Sequence, residues 1–252
     1  MPVELRPELS IVPIVRAQKD MPVRELLGTG FFVGMAPKLR LVTAKHVVED
    51  CQLADGDRIA IAFRTDKGIS IVAVSRFIGS PDFDIAVGEI ETSLIPTAVG
   101  LTLSRHDPAL NGDVFTYEYS GTRIEKTTPT HTLVSFEPYT HKGNIVRSYE
   151  STFPEKVKTP CFLMSFPALQ GASGAPLLSG TASKKSIAVV GMTVGNVEKH
   201  LLPAQVVTIR DGKDFEESIS YFLPFGRALA RSLLATELEK LGVEFRYAED
   251  SE

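Results

Sequence analysis

The chain predicts an all-β protein built as a barrel or sandwich in two halves. Short Val-, Ile- and Phe-rich runs recur along its whole length. Each is bounded by Gly, Pro, Asp or Lys, and no helical periodicity lies between them, which argues against alternating strand–helix units. A short loop-like stretch, SRHDPALNGD at 104–113, divides the runs into two groups. The expected units are therefore residues 1–105 and 106–252.

The first half carries six runs: 10–16, 28–34, 39–44, 58–64, 70–78 and 84–90. The second carries seven: 112–120, 131–139, 144–151, 161–166, 175–179, 186–194 and 205–210. One helix is predicted near the end, over about 224–241. There Ala230, Leu234, Leu238 and Leu241 recur at intervals of four, four and three, and Gly242 follows as a C-terminal stop. Its apolar stripe is expected to pack on the second half.

Composition narrows the function. At 252 residues the chain can bury a sizeable core. It is 43% hydrophobic and 23% charged with a net charge of −4, a balance that points to neither a nucleic-acid nor a membrane partner. No window approaches the ~20 apolar residues of a membrane span, and the N-terminus has no basic segment followed by an apolar block. Cys51 and Cys161 are expected to be free thiols in a reducing compartment, so a cytoplasmic location is expected. No phosphate loop, zinc motif or C-x-x-C occurs, and no cofactor or metal is expected. GTGFFVG at 28–34 has Val33 where a dinucleotide fingerprint needs its last glycine.

Three stretches carry chemistry. In FPALQGASGAPLL, 166–178, Gly171 and Gly174 flank Ser173. Glycine weakens a strand unless the backbone needs positive φ or a close approach. Read alone, G-x-S-G is a turn; read chemically, it is a serine nucleophile with bare N–H groups beside it. Ala175 stands where an α/β-hydrolase elbow, G-x-S-x-G, has glycine, and no helical pattern follows. In LVTAKHVVED, 41–50, His46 sits just past a strand end among Val42, Val47 and Val48; it is either a packed imidazole or a base. In SPDFDIAVGEI, 80–90, Asp84 opens an apolar strand, as a turn former with Asp82 or as a buried carboxylate that needs a partner. Together they run His, Asp, Ser, with the first two in one half and the serine in the other. That is one of the known chain orders of a Ser–His–Asp triad.

On T-A-K-H-V at 43–47, D-F-D-I-A-V at 82–87 and G-A-S-G-A-P at 171–176, the chain resembles the trypsin/chymotrypsin-like serine proteases. It is similar in style to their bacterial cytosolic and HtrA-like branches. The resemblance spans roughly residues 10–240. It implies two six-stranded antiparallel β-barrels with the active site between them, followed by a C-terminal helix. It implies a serine endopeptidase with catalytic His46, Asp84 and Ser173 and an oxyanion hole from the N–H groups of Gly171 and Ser173. The substrate pocket would have Pro167 at its base and Thr193, Val194 and Gly195 as its far wall, with the substrate backbone pairing along 193–195. No Asp or Glu occurs between 160 and 176, so an apolar residue before the cut is expected rather than Lys or Arg. The partner is a polypeptide substrate, with control expected from a regulatory protein partner or from an oxyanion turn that is unformed at rest.

The sequence departs from this family in several places. Ala172 stands where digestive members carry an acid that receives a new N-terminus, so Ile11-Val12 reads as plain strand. Val47 replaces the cysteine that often follows the histidine, and no PDZ domain fits. The alternatives are a catalytically inactive peptide-binding or scaffold module, and an esterase on the same fold.

Overall fold

The computed structural model describes residues 6–18, 23–65, 68–128, 131–152, 157–179, 187–197, 204–210, 213–219 and 225–249. The first half contains β1 (Ile11–Gln18), β2 (Val23–Val33), β3 (Arg40–Thr43), the short helix α1 (Lys45–Glu49), β4 (Asp57–Thr65), β5 (Gly68–Ala73), β6 (Arg76–Gly79) and β7 (Ala86–Glu89). The second contains β8 (Asp113–Glu118), β9 (Arg123–Thr128), β10 (His131–Ser135), β11 (Tyr139–Ser151), β12 (Thr159–Met164), β13 (Pro176–Ser179), β14 (Ala188–Asn196), β15 (Ala204–Arg210), β16 (Lys213–Ile219), β17 (Gly226–Ala230) and the helix α2 (Arg231–Lys240).

The first seven strands form one curled antiparallel sheet in the order β5-β4-β1-β2-β3-β7-β6. The run at 70–78 divides into β5 and β6 around Val74 and Ser75, which gives seven strands where six runs are read from sequence. β1 is central and nearly all buried. It accepts Pro13 because β4 pairs only from Ile14 onward, so the missing N–H falls where β1 has β2 alone beside it. Ile11-Val12 is strand, as its pairing with Phe31 and Gly30 shows.

The second half closes into a six-stranded barrel, β11-β12-β17-β14-β13-β8. β9–β10 and β15–β16 are two-stranded hairpins outside it; β9, β16, α1 and the split at 74–75 have no counterpart among the runs read from sequence. The helix starts later than its periodicity predicts. Residues 226–230 are β17, inserted between β12 and β14. In GRALA the period of two puts Ala228 into the barrel interior and Leu229 toward α2, and that burial outweighs the helical pattern.

The main core does not respect the division into halves. Phe31, Phe32, Leu41 and Ile85 share it with Met192, Leu229, Leu234 and Leu238. The connecting segment is bonded to β14 and to the chain's last residues: Ser104 N–H donates to Val189 O (2.8 Å) and Leu103 N–H to Arg246 O (2.8 Å).

α2 also reaches the first half through one polar contact. Glu237 is 2% exposed, and its carboxylate accepts from Ser80 Oγ at 2.6 Å and from Lys240 Nζ at 2.7 Å. Ser80 in turn accepts the N–H of Phe83 at 3.2 Å, and its own N–H donates to Ile85 O at 2.8 Å. The turn carrying Asp84 is thereby pinned to the last helix. Glu237→Ala leaves a buried hydroxyl short of its acceptor and is expected to cost about 1–3 kcal/mol. Urea unfolding checks this as a lower midpoint at unchanged slope, with Glu237→Gln losing less.

Candidate active site

His46 lies in α1, one turn of helix that begins directly after β3. Ala44 is its N-cap in extended conformation, and Val47 is buried beneath it. Lys45 anchors the turn by donating to Ser80 O at 2.9 Å. The opposite strand, β7, pairs with β3 at Thr43↔Ala86, which brings the start of β7 alongside the start of α1. Asp84 stands there and meets His46 twice. Its Oδ2 lies 2.7 Å from His46 Nδ1, and its Oδ1 accepts the His46 backbone N–H at 2.9 Å. The two contacts fix the imidazole and its backbone relative to one carboxylate.

Asp84 is 8% exposed. Burial alone pushes its carboxyl up, but the hydrogen bonds and charge of His46 outweigh this and hold it below the usual range. Burial pulls His46 down, and the Asp84 carboxylate, with Asp50 further off, more than restores it, so the imidazole stands above its ordinary value of 6.5. The signs set a stability window. A raised histidine stabilises fully below about pH 6.5 and loses this as pH rises through its folded value. A depressed aspartate stabilises above about pH 4 and loses this as pH falls. The pair therefore contributes most between about pH 4 and 6.5. His46→Ala is expected to flatten the pH dependence of the thermal midpoint on both flanks, measured against the parent from pH 3 to 9.

Ser173 arrives from the second half on two consecutive turns. Ala172 N–H donates to Leu169 O and Ala175 N–H to Ala172 O, both at 2.9 Å. Gly171 occupies the third position of the first turn at φ +94°, the left-handed backbone that glycine adopts freely. Gly174 has φ +84°, and a Cβ there would run into Thr29 O and Thr43 Oγ1. Among the described residues, the N–H groups of Gly171 and Ser173 have no acceptor. This is an organised turn, and it weakens the expectation that an unformed one keeps the protein at rest.

Thr29, wholly buried in the middle of β2, holds that turn. Its N–H donates to Ser173 O at 2.9 Å and its Oγ1 donates to Gly171 O at 2.7 Å. The same Oγ1 accepts Tyr119 N–H at 3.1 Å, while Thr29 O accepts from Thr43 Oγ1 at 2.9 Å. The neighbouring Gly28 shows how close the pieces lie. A Cβ there would be 2.8 Å from Ser173 O and 2.8 Å from Val47 Cγ2, so the serine backbone and the residue after His46 meet across one glycine. His46 and Gly171 line one cleft with Leu26, Cys51, Gln170 and the Arg16–Glu25 ion pair.

Thr193, Val194 and Gly195 lie on β14 beside this turn: Gly174 N–H donates to Thr193 O (2.8 Å) and Thr193 N–H to Ala175 O (2.9 Å). Thr193 thus spends both backbone groups within the protein. Among the described residues, β13 pairs with β14 no further than Met192, so beyond Thr193 this strand is paired with β17 alone. Pro167 sits between Phe166, whose carbonyl accepts Gly226 N–H at 2.7 Å, and Ala168.

Thr29, Ser80, Glu237 and Asn196 carry no motif and are not singled out by the sequence. His141 stacks on Phe166 at 6.1 Å and lies 3.3 Å from Glu118 Oε1. Burial pushes the Glu118 carboxyl up to about 7, against the hydrogen bond it accepts from Ser120. Only alternation along β8, which sets Val114, Thr116 and Glu118 on one inward face, could have flagged it. Neither Cys51 nor Cys161 is in a disulfide. Among the described residues no cluster of His, Cys, Asp or Glu is set to hold a metal, and no helix is long and apolar enough to cross a membrane.

A closed six-stranded barrel facing a curled sheet, with a histidine–aspartate pair on one side of the seam and a glycine-flanked serine on the other, defines the class of the trypsin-like proteases. The trypsin-like peptidase domain matches residues 28–192, more than half of the chain, and the chain belongs to that family. Among solved structures it is similar to the Rv3671c protease from M. tuberculosis in its active form, at 18% identity and TM-score 0.58, covering 96% of this chain and 84% of that one. An inactive form of the same protease gives 17% identity and TM-score 0.54 over 93% of this chain and 90% of that one. The thermostable serine protease AL20 from an extremophilic microorganism gives 12% and 0.56, over 94% and 98%. At such identities these likenesses speak for the fold. No curated protein matches the chain.

Thr29→Val keeps the shape of the clamp and removes its hydroxyl. Gly171 O and Tyr119 N–H are then left unpaired in the interior, for an expected loss of about 1–3 kcal/mol. Hydrogen exchange should also show Ala172 N–H losing protection beyond that global change.

Proposed function

We propose that this protein is a serine endopeptidase that works through His46, Asp84 and Ser173. The observation that carries the reading is the two-point hold of Asp84 on His46, by Nδ1 at 2.7 Å and by the backbone N–H at 2.9 Å. With Nδ1–H engaged by the carboxylate, Nε2 keeps its lone pair and can act as a base. A serine hydroxyl is a weak nucleophile at neutral pH and needs such a base.

In this mechanism Ser173 Oγ bonds to the carbonyl carbon of the substrate while its proton passes to His46 Nε2. The carbonyl oxygen takes up the negative charge, and the unengaged N–H groups of Gly171 and Ser173 receive it. The carbon–nitrogen bond then breaks, and His46 returns its proton to the departing amine. Water repeats the sequence on the acyl-enzyme, with His46 again taking and returning the proton, and frees the acid and Ser173. Asp84 stabilises the imidazolium each time it forms. The residue before the cut would sit between Pro167 and the wall formed by Thr193, Val194 and Gly195. No Asp or Glu occurs between 160 and 176, and Arg227 pairs opposite Gly195, which disfavours Lys or Arg and leaves an apolar side chain as the expected choice.

Fluorophosphonate labelling tests the reading. The parent protein should be labelled at Ser173, and Ser173→Ala should abolish labelling and reduce peptide hydrolysis by several orders of magnitude. An unlabelled parent would overturn the reading in favour of a catalytically inactive module; labelling with ester hydrolysis but no peptide cleavage would make it an esterase.

The imidazole must be neutral to accept the proton, and its raised pKa moves the requirement upward. The acid limb of kcat/KM, which reports the free enzyme, is expected above pH 6.5 rather than at it. A rate that stays flat from pH 5 to 8 would remove His46 from the role of base.

A further inference from the structure

We infer that Asn196 sets the depth of the pocket for the residue before the cut and restricts it to small side chains, an inference that rests on the endopeptidase reading above. Asn196 ends β14, one residue past the proposed wall. Its side-chain carboxamide grips both backbone groups of Ala168, in the loop one residue past the proposed base. Ala168 N–H donates to Asn196 Oδ1 at 2.8 Å, and Asn196 Nδ2 donates to Ala168 O at 2.7 Å. The two bonds copy the pairing of a β-bridge, with one side chain standing in for a strand. They hold the two walls apart by the length of that short side chain and no more.

A third segment seals the same layer. Gly226, at the start of β17, is the register partner of Asn196. Its N–H donates to Phe166 O at 2.7 Å, and a Cβ on it would stand 2.8 Å from that oxygen and 3.1 Å from Ala168 N. Residues 166–168, 196 and 226 are thus one hydrogen-bonded layer. By contrast, among the described residues nothing lies within 4 Å of where a Cβ on Gly195 would be. The pocket has an open mouth at Gly195 and a closed inner end at Ala168–Asn196. Ala168 adds only a methyl group and is 7% exposed. A methyl side chain fits such a pocket; a phenyl ring would have to part a bidentate hydrogen bond to enter. A hydrophobic pocket discriminates by about 10–200-fold per misfit methylene, so the clamp is worth at least a factor of ten between Ala and Phe.

The experiment uses the full chain and peptide 4-nitroanilides that differ only in the residue before the scissile bond: Ala, Val, Leu and Phe. Rates are expressed per mole of enzyme titrated with fluorophosphonate. The parent should prefer Ala over Phe by about 10-fold or more in kcat/KM. Asn196→Ala, which frees Ala168, should lower that ratio about 10-fold. Asn196→Asp keeps the acceptor for Ala168 N–H but loses the donor to Ala168 O, and should fall between. A parent that takes Phe as readily as Ala, or an Asn196→Ala protein of unchanged thermal midpoint and unchanged ratio, overturns the inference while leaving the endopeptidase reading standing. A parent that takes up no fluorophosphonate overturns both.

Discussion

Three backbone oxygens and two hydroxyls meet at Thr29, and the site depends on that meeting. The turn carrying Ser173 belongs to the second half of the chain, while the residues that fix its height belong to the first. Thr29 N–H and Oγ1 take the carbonyls of Ser173 and Gly171, and Thr43 Oγ1 takes the Thr29 carbonyl. Because Thr29 and Thr43 are wholly buried, water cannot substitute for a missing partner, and each bond costs more to break than it contributes when made. Sliding either half along the seam would strand several buried polar groups at once. The relative position of the halves is therefore set by polar registry, over an apolar core that is shared and less directional.

The same logic applies to the aspartate. A buried carboxylate is expensive unless it is paired and hydrogen-bonded. Asp84 answers this with both contacts to His46, and its turn is fastened from behind by Ser80 and Glu237. Glu237 is itself a buried carboxylate, placed by the last helix. The chain's end thus supports a turn some 150 residues earlier in sequence. Removing α2 would leave β14 and β17 partly uncovered and the turn at 80–85 without its anchor.

Much of this architecture was legible from the residues. Strand runs bounded by Gly, Pro and Asp placed most strands of both units, because alternation and β-branched enrichment register burial directly. His46 and Asp84 were legible because each breaks a local rule, an imidazole between valines and an acid at the head of an apolar strand, and functional sites are where such rules break. The glycines around Ser173 were legible for the same reason, though their cause was not. Gly174 is bare because Thr29 O and Thr43 Oγ1 occupy the space of its side chain, and both come from more than a hundred residues away. What the sequence hid is of one kind. Thr29, Ser80, Glu237 and Asn196 act through polar contacts with partners distant in sequence, and nothing in their neighbours announces the partner. The later start of α2 has the same origin: β17 is strand because β12 and β14 flank it, a tertiary fact that the helical spacing of its alanines and leucines cannot contain.

Control of such a site has to act where the structure leaves freedom. The turn at 169–175 is closed by two internal hydrogen bonds and clamped by Thr29, so little is left for a partner to assemble there. Ala172 offers no carboxylate to receive a freed N-terminus, and Ile11 is buried in β1, so cleavage near the start of the chain has no lever on the turn. The geometry instead concentrates constraint on the two sides of the proposed site. On one side stands the open cleft beside His46, lined by the Arg16–Glu25 pair and Cys51. On the other stands the layer in which Asn196 binds Ala168 to β14. On the reading proposed above, with the turn at 169–175 already closed and clamped, selection falls to which chains can enter between these two sides.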